Sequence, residues 1–261
     1  MENHMKILVI GDVTSLGGVK HLERSLWRYR DQHRIDLVLV NAENAGFITG
    51  PSPEVANRLF DAGADCLTGG NHTLRARSIW SYIDEEDRML RPINFGSDAP
   101  GQGYTVLDVS GRKIMVINAM GNVRIEPNLD SPFDYIERAL VREEGKYELA
   151  ILDIHAEATG EKLAIAHAFD GKIGIVYGTH THVQTADEQI LPRGTAYISD
   201  VGMCGESGGI LGMAPDSVVA RMRSKLPLSF EVAKGAPVAE GAVFTVDERT
   251  MKVTNIERVR F

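Results

Sequence analysis

The chain predicts an α/β protein built as a helix-covered pair of mixed sheets, and three observations carry that reading. Short apolar runs typical of doubly covered strands alternate with amphipathic segments through about residue 85. Hairpin patterns follow from residue 104. No repeat, low-complexity tract or linker divides the 261 residues, so a single domain over 1–261 is expected.

The elements follow in order. Ile7-Leu8-Val9-Ile10 is a buried-type strand over 6–11 that ends in Gly11-Asp12. Gly17-Gly18 predicts a loop, and 19–34 a helix with Leu22, Leu26 and Tyr29 at helical spacing among charges. A second strand over 36–40 ends in Asn41-Ala42-Glu43-Asn44. The stretch 46–53 is turn-rich, and Ser52 caps a helix that runs through Ala62 with Pro53 in its first turn. A third strand over 65–68 runs into Gly69-Gly70-Asn71-His72, and 76–85 reads as helix. Residues 104–109 and 113–117, split by Ser110-Gly111-Arg112, predict a β-hairpin. Residues 122–132 are irregular and 133–144 helical. A buried strand over 149–154 ends at His155, a helix follows over 161–169, and the run 173–177 delivers Gly178-Thr179-His180-Thr181-His182. A hairpin around Pro192-Arg193-Gly194, a helix over 215–225, and antiparallel strands over 242–246 and 253–259 complete the chain.

Composition narrows the function. The formal charge of −8, from 28 basic and 36 acidic side chains, argues against an extended nucleic-acid surface or broad contact with anionic lipid. The two cysteines, Cys66 and Cys204, have neither metal spacing nor a disulfide framework and read as buried thiols. No export signal stands at the N-terminus, and no apolar stretch approaches the roughly 20 residues that cross a bilayer. A cytoplasmic protein is expected, and a homo-oligomer is as compatible with the sequence as a monomer.

Five predicted strands end in residues that ligate metals or move protons: Asp12, Glu43 with Asn44, Asn71 with His72, His155, and His180 with His182. Each alone has a plain explanation as a turn former, a cap or an interior imidazole. Their coincidence at strand ends does not, because ligands gather beyond the carboxyl ends of strands in open α/β sheets. An extended loop would point His180 and His182 the same way. Carboxylates, imidazoles and amides without thiolates suit Fe or Mn, with Zn also compatible, and exclude an iron–sulfur cluster or Cu(I). The set is too large for one tetrahedral zinc. It matches two ions roughly 3.5–4 Å apart, as in two-metal phosphoester hydrolysis, with Glu43 or Asp12 as the shared carboxylate.

The order of these motifs resembles the calcineurin-like metallophosphoesterases. Gly11-Asp12-Val13, Asn41-Ala42-Glu43-Asn44-Ala45, Gly70-Asn71-His72-Thr73, His155-Ala156-Glu157-Ala158-Thr159, Gly178 through Asp187 and Asp200-Val201-Gly202-Met203 resemble its YmdB-type bacterial branch, the 2′,3′-cyclic-nucleotide 2′-phosphodiesterases. The resemblance implies a four-layer αββα sandwich with two central mixed sheets and a metal pair at one edge. It implies that Glu43 bridges two divalent or trivalent transition-metal ions, that Asp12, Asn44 and His182 complete one site, and that Asn71, His155 and His180 complete the other. His72 then donates a proton to the departing ribose oxygen while a metal-bridging hydroxide attacks phosphorus in line, turning a small phosphodiester such as a 2′,3′-cyclic nucleotide into a 3′-nucleotide. The chain departs from the branch in its first loop, which lacks an arginine near Val19, and at Leu74-Arg75, where an aromatic-acidic pair is usual. No substrate-binding residue is assigned by the motifs; Arg75, Arg77 and Arg124 are the arginines considered for gripping phosphate. A phosphomonoesterase or broader phosphodiesterase on the same centre, and a metal-binding regulatory or scaffold protein, are the alternatives.

Overall fold

The computed structural model describes residues 4–46 and 50–261. The preface 1–3 and the 47–49 part of the turn-rich stretch lie outside the described residues. Strand β1 (His4–Ile10) leads into the two-residue β2 (Asp12–Val13), then α1 (Leu16–His33), β3 (Leu37–Asn41), α2 (Pro53–Asp61), β4 (Cys66–Thr68) and, after a 3-10 turn at Arg77–Ile79, α3 (Trp80–Glu85). The hairpin of β5 (Tyr104–Val109) and β6 (Arg112–Met120) is followed by α4 (Pro132–Arg142), β7 (Leu149–His155), α5 (Thr159–Ala168), β8 (Ile175–Thr179), β9 (Gln189–Ile190) and β10 (Ala196–Ile198). Next come β11 (Met203–Glu206), α6 (Pro215–Ser224), β12 (Pro237–Asp247) and β13 (Lys252–Arg260).

The strands form two mixed sheets. One runs β2-β11-β12-β1-β3-β4 with β13 also paired to β12, and the other runs β5-β6-β7-β8-β10-β9. Pairing is parallel within β1, β3 and β4 and within β6, β7, β8 and β10, and antiparallel where β12 joins β1 and where β5 joins β6. Alternation of side chains sorts the apolar residues into layers. Ile7, Val9, Leu37 and Leu39 face inward onto Val116, Ile151, Ile175 and Tyr177 of the second sheet. Leu8, Ile10, Val38 and Val40 face outward under Leu22 and Leu26 of α1 and Leu59 of α2. Met115, Ile117, Leu152 and Ile154 take the opposite outer face under Ile136 of α4 and Ile165 of α5. Burial on both faces is why these strands read as near-continuous apolar runs. The result is the expected four-layer αββα sandwich.

Local departures from expectation have packing reasons. Gly17 and Gly18 are not a loop but the first turn of α1, capped by the Ser15 hydroxyl, which accepts from Gly18 N at 3.1 Å. A Cβ on Gly18 would stand 2.3 Å from the carbonyl oxygen of Cys204, so glycine lets the helix start directly against β11. Ser52 and Pro53 open α2 as predicted. The segment expected as one helix over 76–85 begins instead as a 3-10 turn at Arg77–Ile79, and the α-helix proper starts at Trp80.

Candidate metal centre

The C-terminal ends of β1, β3, β4, β7 and β8 meet at one edge of the sandwich, where the register sets Asn41 opposite Thr68 and His155 opposite Thr179. Every residue predicted for the site comes together there. Asp12, Glu43 and His155 are fully buried. Glu43 Oε1 accepts the backbone N–H of His72 and lies 3.2 Å from its Nδ1, while Oε2 accepts the Thr73 hydroxyl at 3.1 Å. Asn44 reaches both ways, with Oδ1 2.7 Å from His72 Nδ1 and Nδ2 3.5 Å from His182 Nε2. On the other side, His155 Nε2 lies 3.2 Å from Asn71 Oδ1, 3.1 Å from His180 Nδ1 and 3.9 Å from Glu43 Oε1. Asp12 sits between the groups: Oδ1 is 3.7 Å from both His155 Nδ1 and His182 Nε2, and Oδ2 accepts the His180 N–H at 2.9 Å. Gly70 is glycine because a Cβ would fall 2.2 Å from the His155 ring.

The loop is not extended at His180 and His182, so the two side chains do not point the same way. Their φ angles are +96° and +61°, so the loop turns instead, and the two rings diverge toward His155 and Asp12 respectively. The turn is built around Asp200, whose Oδ2 accepts from Thr181 N at 3.0 Å, Thr181 Oγ1 at 2.7 Å and Lys162 Nζ at 2.9 Å. Lys162 also donates to the Thr179 carbonyl at 2.7 Å.

Electrostatics favours a cation here. Burial raises the Glu43 carboxyl well above its ordinary value, and the charge of Asp12 adds to the effect. Burial acts the same way on Asp12, but the neighbouring His182 and His155 outweigh it and hold that carboxyl below the usual range. Burial lowers His155 well below its ordinary value, lowers His180, and brings His72 to about 4 with Arg75 contributing. His72, His155 and His180 therefore stand neutral at pH 7, as metal-binding imidazoles must. His182 is raised: burial opposes its charge, and Asp12 beside it wins.

Three observations fit the residues to metal ions. Asp12 Oδ1 is buried with no hydrogen-bond partner. His155 Nδ1 and His180 Nε2 face Thr179 Oγ1 and Glu157 Oε2 at 3.0 and 3.3 Å, so with protons on those atoms the nitrogens that approach each other to 3.1 Å are both lone pairs. The ionisable side chains found within 4 Å of Asp12 and Glu43 are imidazoles, and two buried carboxylates call for more positive charge than neutral rings supply. The donors form an open ring rather than a closed cage: no three His, Cys, Asp or Glu side chains among the described residues converge on one point, and the amides of Asn44 and Asn71 are part of the set.

Of the arginines considered, Arg75 is exposed and close enough to His72 to act on its charge, Arg77 lies over the Trp80 ring at 5.3 Å, and Arg124 is exposed on the loop after β6. Of the residues that shape the cluster without belonging to it, Glu157, Thr179 and Asp200 lie inside the quoted motifs with no role assigned to them, while two outside the motifs leave a signal. Asp153 is a charge inside a buried strand, and Lys162 occupies the apolar stripe formed by Ile165, Ala166 and Phe169.

A four-layer α/β sandwich that gathers carboxylates, imidazoles and amides at the shared edge of its two sheets is a fold of the metallophosphoesterase type. Over 98% of its length the chain is 39% identical to the 2′,3′-cyclic-nucleotide 2′-phosphodiesterase of Bacillus subtilis, covering 96% of that protein. A crystal structure of a hypothetical protein from Thermus thermophilus superposes with a TM-score of 0.90 at 35% identity, covering 98% of this chain and 99% of that one. A structure described as a novel phosphatase from Mycoplasma pneumoniae gives 0.91 at 34% identity, covering 100% and 94%. The family model for YmdB-like proteins matches residues 8–259, and the chain belongs to that family.

Proposed function

We propose that this protein is a dimetal-dependent phosphodiesterase of small phosphodiesters, with 2′,3′-cyclic nucleotides as its substrates and 3′-nucleotides as products. The observation that carries the reading is the placement of Asp12 and Glu43, both buried, between two groups of imidazole and amide donors. The activity of the Bacillus subtilis relative supports the substrate class.

In this reading Asp12, Asn44 and His182 would hold one ion, Asn71, His155 and His180 would hold the other, and Glu43 would serve both. Fe or Mn is favoured by the donor set, and Zn is compatible with it. When bound, the ions supply a water of lowered pKa and neutralise charge developing on the phosphoryl oxygens. His72 is left to handle the proton at the departing ribose oxygen. Asn44 Oδ1, 2.7 Å from Nδ1, fixes its ring, and its side chain is 17% exposed, open to substrate yet shielded from bulk water. Burial keeps the ring neutral at pH 7, and a bound phosphodiester anion beside it opposes that shift, favouring the protonated ring that an alkoxide leaving group requires.

The test compares turnover of a 2′,3′-cyclic nucleotide with that of a phosphomonoester under manganese loading. Preference for the cyclic diester, with a 3′-nucleotide as product, is the expected result. Preference for the monoester would overturn the assignment.

A further inference from the structure

We propose that Asp153, acting through Thr179, and Glu157 are positioning residues that set opposite tautomers on His155 and His180, so that both rings turn a lone pair toward the same cation. The inference rests on the metal-centre reading above and concerns residues outside the ligand set.

The hydrogen bonds leave little freedom. The amide of Asn41 is oriented by its own strand end, since its Oδ1 accepts the Glu43 N–H at 2.9 Å, so its Nδ2 is the donor to Asp153 Oδ2 at 2.9 Å. The Thr68 hydroxyl donates to the same oxygen at 2.5 Å, and the Thr179 hydroxyl donates to Asp153 Oδ1 at 2.7 Å. With its single proton spent on the ionised Asp153 carboxylate, Thr179 Oγ1 accepts from His155 Nδ1, 3.0 Å away. His155 is thereby fixed with Nδ1 protonated and Nε2 bare. For His180 the arrangement is reversed. The Glu157 carboxylate stands 3.3 Å from Nε2 without hydrogen-bond alignment, and its negative charge favours the proton on that nitrogen and a bare Nδ1. The two bare nitrogens are the pair that approach to 3.1 Å.

The same hub ties the sheets together at the site. Asn41 and Thr68 end strands of the first sheet, whereas Asp153 and Thr179 belong to the second, and all four are at most 1% exposed. Asn118 of the second sheet adds a two-way bond to the backbone of Gly69, at 3.1 and 3.0 Å, just before Asn71. The paired donors and acceptors of a buried polar network specify one arrangement. Here that arrangement determines which ring nitrogen each histidine offers. Outer partners of this kind orient metal-bound imidazoles and raise their basicity.

Nitrogen-15 NMR of the histidine rings tests the inference, in metal-free chain and in chain loaded with zinc, which is diamagnetic. The expected result is a proton on Nδ1 of His155 and on Nε2 of His180; the opposite tautomer at either ring overturns the inference. Thr179→Val should weaken zinc binding about 10- to 100-fold, with Thr179→Ser restoring it. Glu157, 49% exposed, provides a variant that does not disturb the core: Glu157→Ala should weaken zinc binding and Glu157→Gln, which keeps an acceptor, should restore it. Zinc affinity within about twofold of the unmodified chain in folded Thr179→Val or Glu157→Ala, against the roughly tenfold loss expected of such partners, would also overturn it. If the unmodified chain bound no zinc, the metal centre itself would fail, while the tautomers read in the metal-free sample would still decide this proposal.

Discussion

Replacing Lys162 with Met removes the cation at the buried end of the histidine loop without removing its aliphatic volume. The Lys162 side chain is 2% exposed and that of its partner Asp200 1% exposed, with Nζ 2.9 Å from Asp200 Oδ2 and 2.7 Å from the Thr179 carbonyl. After substitution, Asp200 keeps the neutral donors Thr181 and Gly202 but loses this counter-charge. Breaking a buried pair from one side costs about 3–5 kcal/mol because an uncompensated charge stays behind. At about 2–4 °C per kcal/mol for a domain near this size, Tm should fall by roughly 6–20 °C. The sign of the pH dependence follows from Asp200. Burial already raises its carboxyl, with Lys162 opposing, and loss of Lys162 raises it further. A raised folded-state pKa is a stability contribution present below the unfolded value and lost as pH rises through the folded one. The deficit of Lys162→Met should therefore narrow toward about pH 5 and widen toward about pH 8. Urea denaturation of metal-free protein across that range measures it. A deficit under about 1 kcal/mol near neutral pH, or one that grows on acidification, would refute the reasoning.

Glu43→Gln should stabilise the metal-free chain near pH 8 by about 0.5–2 kcal/mol while weakening metal retention, the usual opposition of stability and function at a site. Because burial raises the Glu43 carboxyl, its ionisation destabilises the fold at high pH, so the gain should shrink as pH falls toward about 4.5 in the same denaturation assay. His72→Ala should leave bound metal near the unmodified level and lower kcat on a 2′,3′-cyclic nucleotide by about 10²- to 10⁴-fold; parallel loss of metal would instead make His72 a ligand. Gly70→Ala should displace the His155 ring, against which its Cβ would stand at 2.2 Å, and lower metal content measured by elemental analysis.

What the sequence reveals and what it hides have a common physical origin. Strand interiors with both faces covered become near-continuous apolar runs, so β1, β3, β7 and β8 and the polar residues at their ends are directly legible. Ser52 and Pro53 announce α2 because capping is decided by neighbouring residues. The path of the histidine loop cannot be read locally. Its left-handed turns depend on Lys162 of α5 and on Asp200 after β10, which meet beside the loop only when the sheet and its helices pack. Gly17-Gly18 reads as a loop for a similar reason, since the need for glycine there comes from Cys204, remote in sequence. The ligand set is legible as chemistry at strand ends, whereas Asp153, Thr179 and Glu157 gain meaning only from the nitrogen atoms they face.

Elemental analysis of gently purified protein is the most direct test of the proposed dinuclear centre, made on the unmodified chain, on His180→Ala and His182→Ala, and on the two substitutions combined. The expected result is close to two transition-metal ions per chain, one retained by each single variant, and none by the combination. An unmodified chain without stoichiometric metal, or a combined variant that still holds the ion retained by the single ones, would contradict it.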